Sequence, residues 1–132
     1  MSPTDACHAY CRAFRSREPE AIVSLFERRG VYEMPMLGQR LIGHGEIRAG
    51  AAQMFSLTES CSIVLSGIMA SAEAAIAEGR LRAKLHRDPD PMDLPCAIAL
   101  SMGGGGISRL STYLDARPYR LWSDGPIFAP LD

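Results

Sequence analysis

The chain has 132 residues, with 14 Lys+Arg against 15 Asp+Glu, a formal charge of −1, 47% hydrophobic residues and 22% charged ones. That composition fits one globular core and excludes global disorder. With no surplus of positive charge there is no electrostatic footprint for nucleic acid, and no apolar run approaches the roughly 18–20 residues of a membrane span.

The opening stretch MSPTDACHAYCRAF lacks a basic start followed by an apolar run, so it does not read as a signal peptide and a cytoplasmic location is expected. Ser2-Pro3-Thr4-Asp5 reads as a helix start: a Ser cap, Pro at the first helical position and an acid in the first turn. Ala6, Tyr10, Ala13 and Phe14 follow at helical spacing. Cys7 and Cys11 lie one turn apart on this helix, where a disulfide would be strained and no fourth metal ligand is near. With Cys61 and Cys96 they read as small buried hydrophobes.

Glu18-Pro19 breaks the helix, and a second short one carries Ile22, Val23, Leu25 and Phe26 until Gly30 stops it. Val31-Tyr32-Glu33-Met34 reads as a short strand closed by Pro35, followed by a loop or hairpin from Gly38 to Gly43. A third helix spans 46–57, with Ile47, Ala51, Met54 and Phe55 on one stripe. Four strands follow, over 61–69, 75–86, 95–102 and 107–115, separated by turn and loop signals. The glycine run 103–106 is a hairpin turn. It is no phosphate loop, because Ile107-Ser108-Arg109-Leu110 continues as a strand with no GK[ST] leading into a helix.

Helices first and a strand meander afterwards predict an α+β fold, with N-terminal helices packed on a curved antiparallel sheet. A single domain over 1–122 and a C-terminal tail over 123–132 are expected. Phe14, Phe26, Phe55 and Trp122 read as core or interface aromatics. His8, His44 and His86 are scattered and suggest no metal site.

Several stretches, in this order, resemble the nuclear transport factor 2-like superfamily, in particular its SnoaL-like and ketosteroid-isomerase-like branches. They are Tyr10, Ala21-Ile22-Val23-Ser24-Leu25-Phe26, Val31-Tyr32-Glu33-Met34-Pro35, Gly43-His44-Gly45-Glu46-Ile47, Gly106-Ile107 and Tyr113-Leu114-Asp115. The resemblance implies a cone-shaped roll, a curved sheet wrapped around helices and enclosing an apolar pocket for a small organic ligand. It implies no cofactor, and it implies a homodimer.

The resemblance also assigns positions. Tyr10 falls on the oxyanion tyrosine of the steroid isomerases, but Met34 replaces their carboxylate base and Ala97 their second acidic donor. Against the limonene-epoxide-hydrolase-like branch, Tyr32 matches the tyrosine and Arg80 the arginine, while Met34 or Pro35 replaces the asparagine. That branch's two carboxylates fall near Arg82 and Thr112, so both are missing. The acid/base aspartate of the polyketide cyclases also falls at Thr112. Phe14, Met34, Phe55, Arg82, Ala97, Leu110 and Thr112 are implied to line the pocket.

The strand over 75–86 leaves two readings open. Glu78, Arg80, Arg82 and Lys84 alternate with Ala77, Gly79, Leu81, Ala83 and Leu85, so pattern alone turns the charges to water. The register of the resemblance turns Glu78, Arg80 and Arg82 into the cone. In that case Glu78, held by Arg80, is the only carboxylate base available, with Tyr10 and Tyr32 as hydrogen-bond donors. The function then divides between a cofactor-free isomerase, cyclase, dehydratase or hydrolase on a hydrophobic substrate and a binding protein without chemistry. Met34, Ala97 and Thr112 favour binding.

Overall fold

The computed structural model describes residues 1–115. The expected tail over 123–132, and Trp122 before it, lie outside the described residues.

Ser2 caps the first helix with both halves of a capping box: its hydroxyl accepts from the Asp5 amide at 3.0 Å, and the Asp5 carboxylate accepts from the Ser2 amide at 3.2 Å. These bonds hold the Asp5 carboxyl below its ordinary pKa. Helix α1 (Pro3–Ser16) buries Ala6, Cys7, Tyr10, Ala13 and Phe14 along one stripe. It ends at Arg17, whose φ of 56° is left-handed, a conformation that costs a residue with a Cβ about 1 kcal/mol. Three hydrogen bonds offset that cost. Arg17 Nε donates to Thr58 Oγ1 at 3.2 Å, and Nη2 donates to the carbonyls of Phe55, at 2.7 Å, and Thr58. One guanidinium therefore ties the end of α1 to the junction between helix α3 (Gly43–Ser56) and strand β3 (Thr58–Ala70).

Helix α2 (Pro19–Val23) is shorter than its apolar stripe suggests, because β1 (Phe26–Met34) begins at Phe26. Leu25 and Phe26 are claimed by the last strand: the Ile107 amide donates to the Leu25 carbonyl at 2.9 Å, and Phe26 pairs with Ile107. Gly30 does not stop a helix. It sits inside β1 where the register shifts, and a Cβ there would lie 2.9 Å from the Ile107 carbonyl oxygen. A single helical turn (Pro35–Leu37) leads to β2 (Gln39–Ile42), which pairs back on β1. Helix α3 starts at Gly43, and the Glu46 carboxylate accepts from the Ile42 amide at 3.0 Å.

Strands β3, β4 (Ala74–Leu85), β5 (Met92–Gly103) and β6 (Gly106–Leu114) form the expected meander. The six strands make one curved sheet in the order β2-β1-β6-β5-β4-β3. It is not wholly antiparallel, because β1 runs parallel to β6, with Tyr32 beside Leu110 and Glu33 beside Ser111. Helix α1 packs on β3 and α3 on β1, so the helices cover a single face. That inner face is apolar by strict alternation: Ile63 from β3, Ala77 and Leu81 from β4, Ile98 and Leu100 from β5, and Leu110 from β6 are all buried. Each large aliphatic side chain among them stabilises the fold by about 2 kcal/mol through burial.

Strand β4 follows its hydrophobic pattern. Ala75, Ala77, Leu81, Ala83 and Leu85 are buried, while Glu78, Arg80 and Arg82 are exposed on the outer face. The register implied by the resemblance is thereby corrected. Turning the two arginines inward would strip water from charges that find no partner among the apolar side chains there.

Candidate functional site

The inner face and the helices close around a small cavity of about 20 Å³, enough for one water molecule. Tyr10 and Phe14 reach it from α1, Tyr32 and Met34 from β1, and Met54 from α3. Thr58, Cys61, Ile63, Leu81, Ala83 and Thr112 supply the sheet side. Aromatic rings fix much of the wall. Tyr10 meets Tyr32 edge to face at 5.9 Å between centroids, and Phe14 meets Phe55 likewise at 6.0 Å.

Polar atoms are few here. The hydroxyls of Tyr10 and Tyr32 lie 2.5 Å apart, both side chains being fully buried. Burial pushes the Tyr10 hydroxyl well above the ordinary phenol pKa, with the neighbouring Tyr32 adding to the rise, and burial likewise raises Tyr32. Both stay neutral and act only as hydrogen-bonding groups over the physiological range. Thr112 Oγ1 stands beside Tyr10 and eases its ionisation slightly, yet it meets hydrogen-bond geometry with no partner among the described residues. Cys61 Sγ is spent on the Phe14 carbonyl at 3.2 Å, and burial pushes its thiol up to about 11. Thr58 Oγ1 is also committed, donating to the Phe55 carbonyl at 3.2 Å. Among the described residues no carboxylate lines the cavity.

Of the residues singled out in the sequence, Tyr10, Phe14, Tyr32, Met34 and Thr112 come together at this cavity, and Phe55 backs Phe14. Leu110 is buried on the inner face beside Tyr32 without reaching the opening. The others lie elsewhere. Ala97 is on the outer face, opposite Glu78. Arg80 Nε donates to the Asp93 carboxylate at 2.7 Å, and Arg82 lies 3.6 Å from the same group. Glu78 and Arg80 therefore form no inward acid/base pair, and neither they nor Arg82 faces the cavity.

Three lining residues, Cys61, Leu81 and Ala83, sit at alternate positions that pattern assigns to the core without distinguishing wall from filling. His44 is taken up by the Phe26 carbonyl at 2.8 Å. Among the described residues no three His, Cys, Asp or Glu side chains gather as a metal site. A second polar cluster escaped the sequence reading: Glu33, buried on the outer face of β1, accepts at one oxygen from Ser111 Oγ at 2.8 Å and from Arg109 Nε at 2.6 Å, with Arg109 Nη2 adding an ion pair.

A curved α+β sheet with helices on one face and an interior of this kind is the architecture of the SnoaL-like proteins, and the sequence agrees. The family model for the SnoaL-like domain matches residues 7–110, and the chain belongs to that family. No curated protein matches the sequence. Among solved structures, a hypothetical protein from Catenulispora acidiphila with a ketosteroid isomerase-like fold, solved with trimethylamine, superposes with a TM-score of 0.82 at 20% identity, covering 96% of this chain and 97% of that one. TerC, co-crystallised with polyporic acid, gives 0.77 at 17% identity over 91% and 96% of the two chains. An epoxide hydrolase of the LEH-like type from M. tuberculosis gives 0.71 at 17% identity, over 85% and 81%. At these identities the likeness is one of fold. Among the described residues no helix is long and apolar enough to cross a membrane.

Proposed function

We propose that this SnoaL-like chain binds a small, mainly apolar organic molecule by a single oxygen and performs no acid/base chemistry on it. The observation that carries this is the group of three buried hydroxyls, Tyr10, Tyr32 and Thr112, on a largely apolar wall, where Thr112 Oγ1 meets hydrogen-bond geometry with no partner among the described residues. A buried hydroxyl without a partner costs the fold about 1–3 kcal/mol, and a ligand oxygen would recover that loss. Proton transfer needs a group that exchanges a proton near neutral pH. Phenols pushed upward by burial are poor at that, and the described lining residues offer no carboxylate in their place. Met34 and Met54, with flexible unbranched side chains, are the wall elements suited to yield to a ligand larger than a water molecule.

The test is titration of the full chain with 4-propylphenol and with propylbenzene, followed by calorimetry. Tighter binding of the phenol, reduced to the hydrocarbon's level by Thr112→Val with Tyr10→Phe, is the expected result. Equal affinity for the two, or binding of neither, would sink this reading.

We also propose that two copies meet through the outer sheet face. Met69 on β3 is 80% exposed and stands beside Ile76 on β4, 58% exposed, which in turn neighbours Ala99. Arg80 and Arg109 on this face are paired within the chain, with Asp93 and Glu33, so on the strands around Met69 and Ile76 only Glu78 stands as an exposed charge without an ion pair among the described residues. Sedimentation should report a dimer for the native chain and a monomer for Ile76→Arg; a native monomer ends the proposal.

A further inference from the structure

Charge is unevenly placed on this chain. The whole sequence is balanced at −1, yet the described residues lining an open groove of about 470 Å³ beside the end of α1 include Arg15, Arg17, Arg82 and Lys84 against one carboxylate, Glu59. These cations are incompletely answered. Arg15 is exposed and has no hydrogen-bonding or ion-pairing partner among the described residues. Arg17 spends Nε and Nη2 on Thr58 and Phe55, which leaves Nη1. Arg82 lies 3.6 Å from Asp93 with its side chain 57% exposed. Lys84 lies 3.7 Å from Glu59 and donates to two backbone carbonyls. Like charges gathered this way repel one another, and an anion among them lowers the energy of all four.

The groove adjoins the interior. Cys61 and Ala83, cross-strand partners on β3 and β4, line both the groove and the inner cavity. A molecule reaching past this pair would have its apolar body among the aromatic rings and its far end among the cations. We propose that the ligand is amphipathic, an aromatic or alicyclic carboxylate whose anionic end is held in this groove by Arg15 and Arg82 while an oxygen at its other end meets Tyr10 and Thr112. The second half of that statement rests on the binding reading above; the first half stands on the groove alone. Arg17 and Lys84 contribute field more than direct bonds, since much of their donor capacity is already used.

The experiment takes the full chain and three probes with a common body: 3-(4-hydroxyphenyl)propanoate, its primary amide, and 3-phenylpropanoate. The carboxylate is expected to bind about fivefold to tenfold more tightly than the amide. That margin should shrink as salt is added, because the groove is open to solvent, and should vanish in the Arg15→Gln/Arg82→Gln chain. Both substitutions are at exposed side chains, and an unchanged melting temperature will show that the variant is folded. Equal binding of acid and amide, or a margin that survives the double substitution, overturns the proposal, as does failure of all three probes to bind. If the acid keeps its margin while the hydroxyl adds nothing over 3-phenylpropanoate, the groove is supported and the seating of the oxygen at Tyr10 and Thr112 is what fails.

Discussion

The Tyr10 and Tyr32 hydroxyls, brought together from α1 and β1, face each other at 2.5 Å in the interior, with Thr112 beside them and in hydrogen-bond geometry with no partner among the described residues. A group kept in a costly state predicts its own replacement. Thr112→Val keeps the side chain's shape and removes the unsatisfied oxygen, so it should raise unfolding free energy by about 1 kcal/mol. Urea denaturation measures this directly. A loss of stability instead would mean that the oxygen already has a partner in solution, such as a buried water.

The same pair sets an alkaline limit. Burial raises the folded-state pKa of both phenols, so above about pH 10 the unfolded chain releases protons that the folded chain retains. Their contribution to stability is complete below the unfolded value and is lost as pH rises through the folded one. Phenolate absorbance from these two residues should therefore appear together with unfolding. In Tyr10→Phe/Tyr32→Phe the absorbance change at the unfolding step should be smaller by two tyrosines. Absorbance from both residues appearing while the fold stays intact would contradict their burial.

Glu33 gives a third prediction. Its side chain is 6% exposed and is answered by Arg109 and Ser111 from the parallel neighbour β6. Arg109→Met strands a buried carboxylate with one hydroxyl and should cost about 2–3 kcal/mol, whereas Glu33→Met/Arg109→Met should recover most of that loss. Chemical denaturation of both variants checks the pair. Equal stability of the two would show that the ion pair matters little.

Glu78→Gln should change neither stability, beyond about 0.5 kcal/mol, nor ligand affinity, because the side chain stands in solvent on the outer face. A large drop in binding would place Glu78 inside the site after all.

Much of this molecule is legible in its sequence, for reasons that can be located. The Ser2–Asp5 capping box is a local signature and survives intact. The alternation on β4 is a period-two code that places Ala77, Leu81, Ala83 and Leu85 in the core and Glu78, Arg80 and Arg82 in solvent, against the register that the resemblance implies. A register carried over from relatives fails as soon as one strand carries a bulge, and β1, β3 and β6 all contain register shifts. Phe26 and Gly30 were misassigned to α2 because apolar spacing over so few residues does not separate helix from strand. Their strand is chosen by Ile107, about eighty residues on. Glu33 was invisible for a related reason: a buried glutamate looks like any surface acid until the fold brings Arg109 and Ser111 beside it. At the cavity, Tyr10, Tyr32 and Thr112 were picked out by the resemblance. Cys61 and Ala83 were not, because neither side chain announces a boundary between two spaces.

The parallel pairing of β1 with β6 also has a consequence for the order of events as the chain is made. Residues 26–34 come early in the domain and their partners at 106–114 about eighty residues later, and among the described residues β1 has only the four-residue β2 as an earlier neighbour. Tyr32 cannot reach its final surroundings, nor Glu33 its counterions, until nearly the whole domain has left the ribosome. The interior is thus among the last parts to be completed, and a chain truncated before β6 would have helices and part of the meander but no closed cavity around Tyr10 and Tyr32.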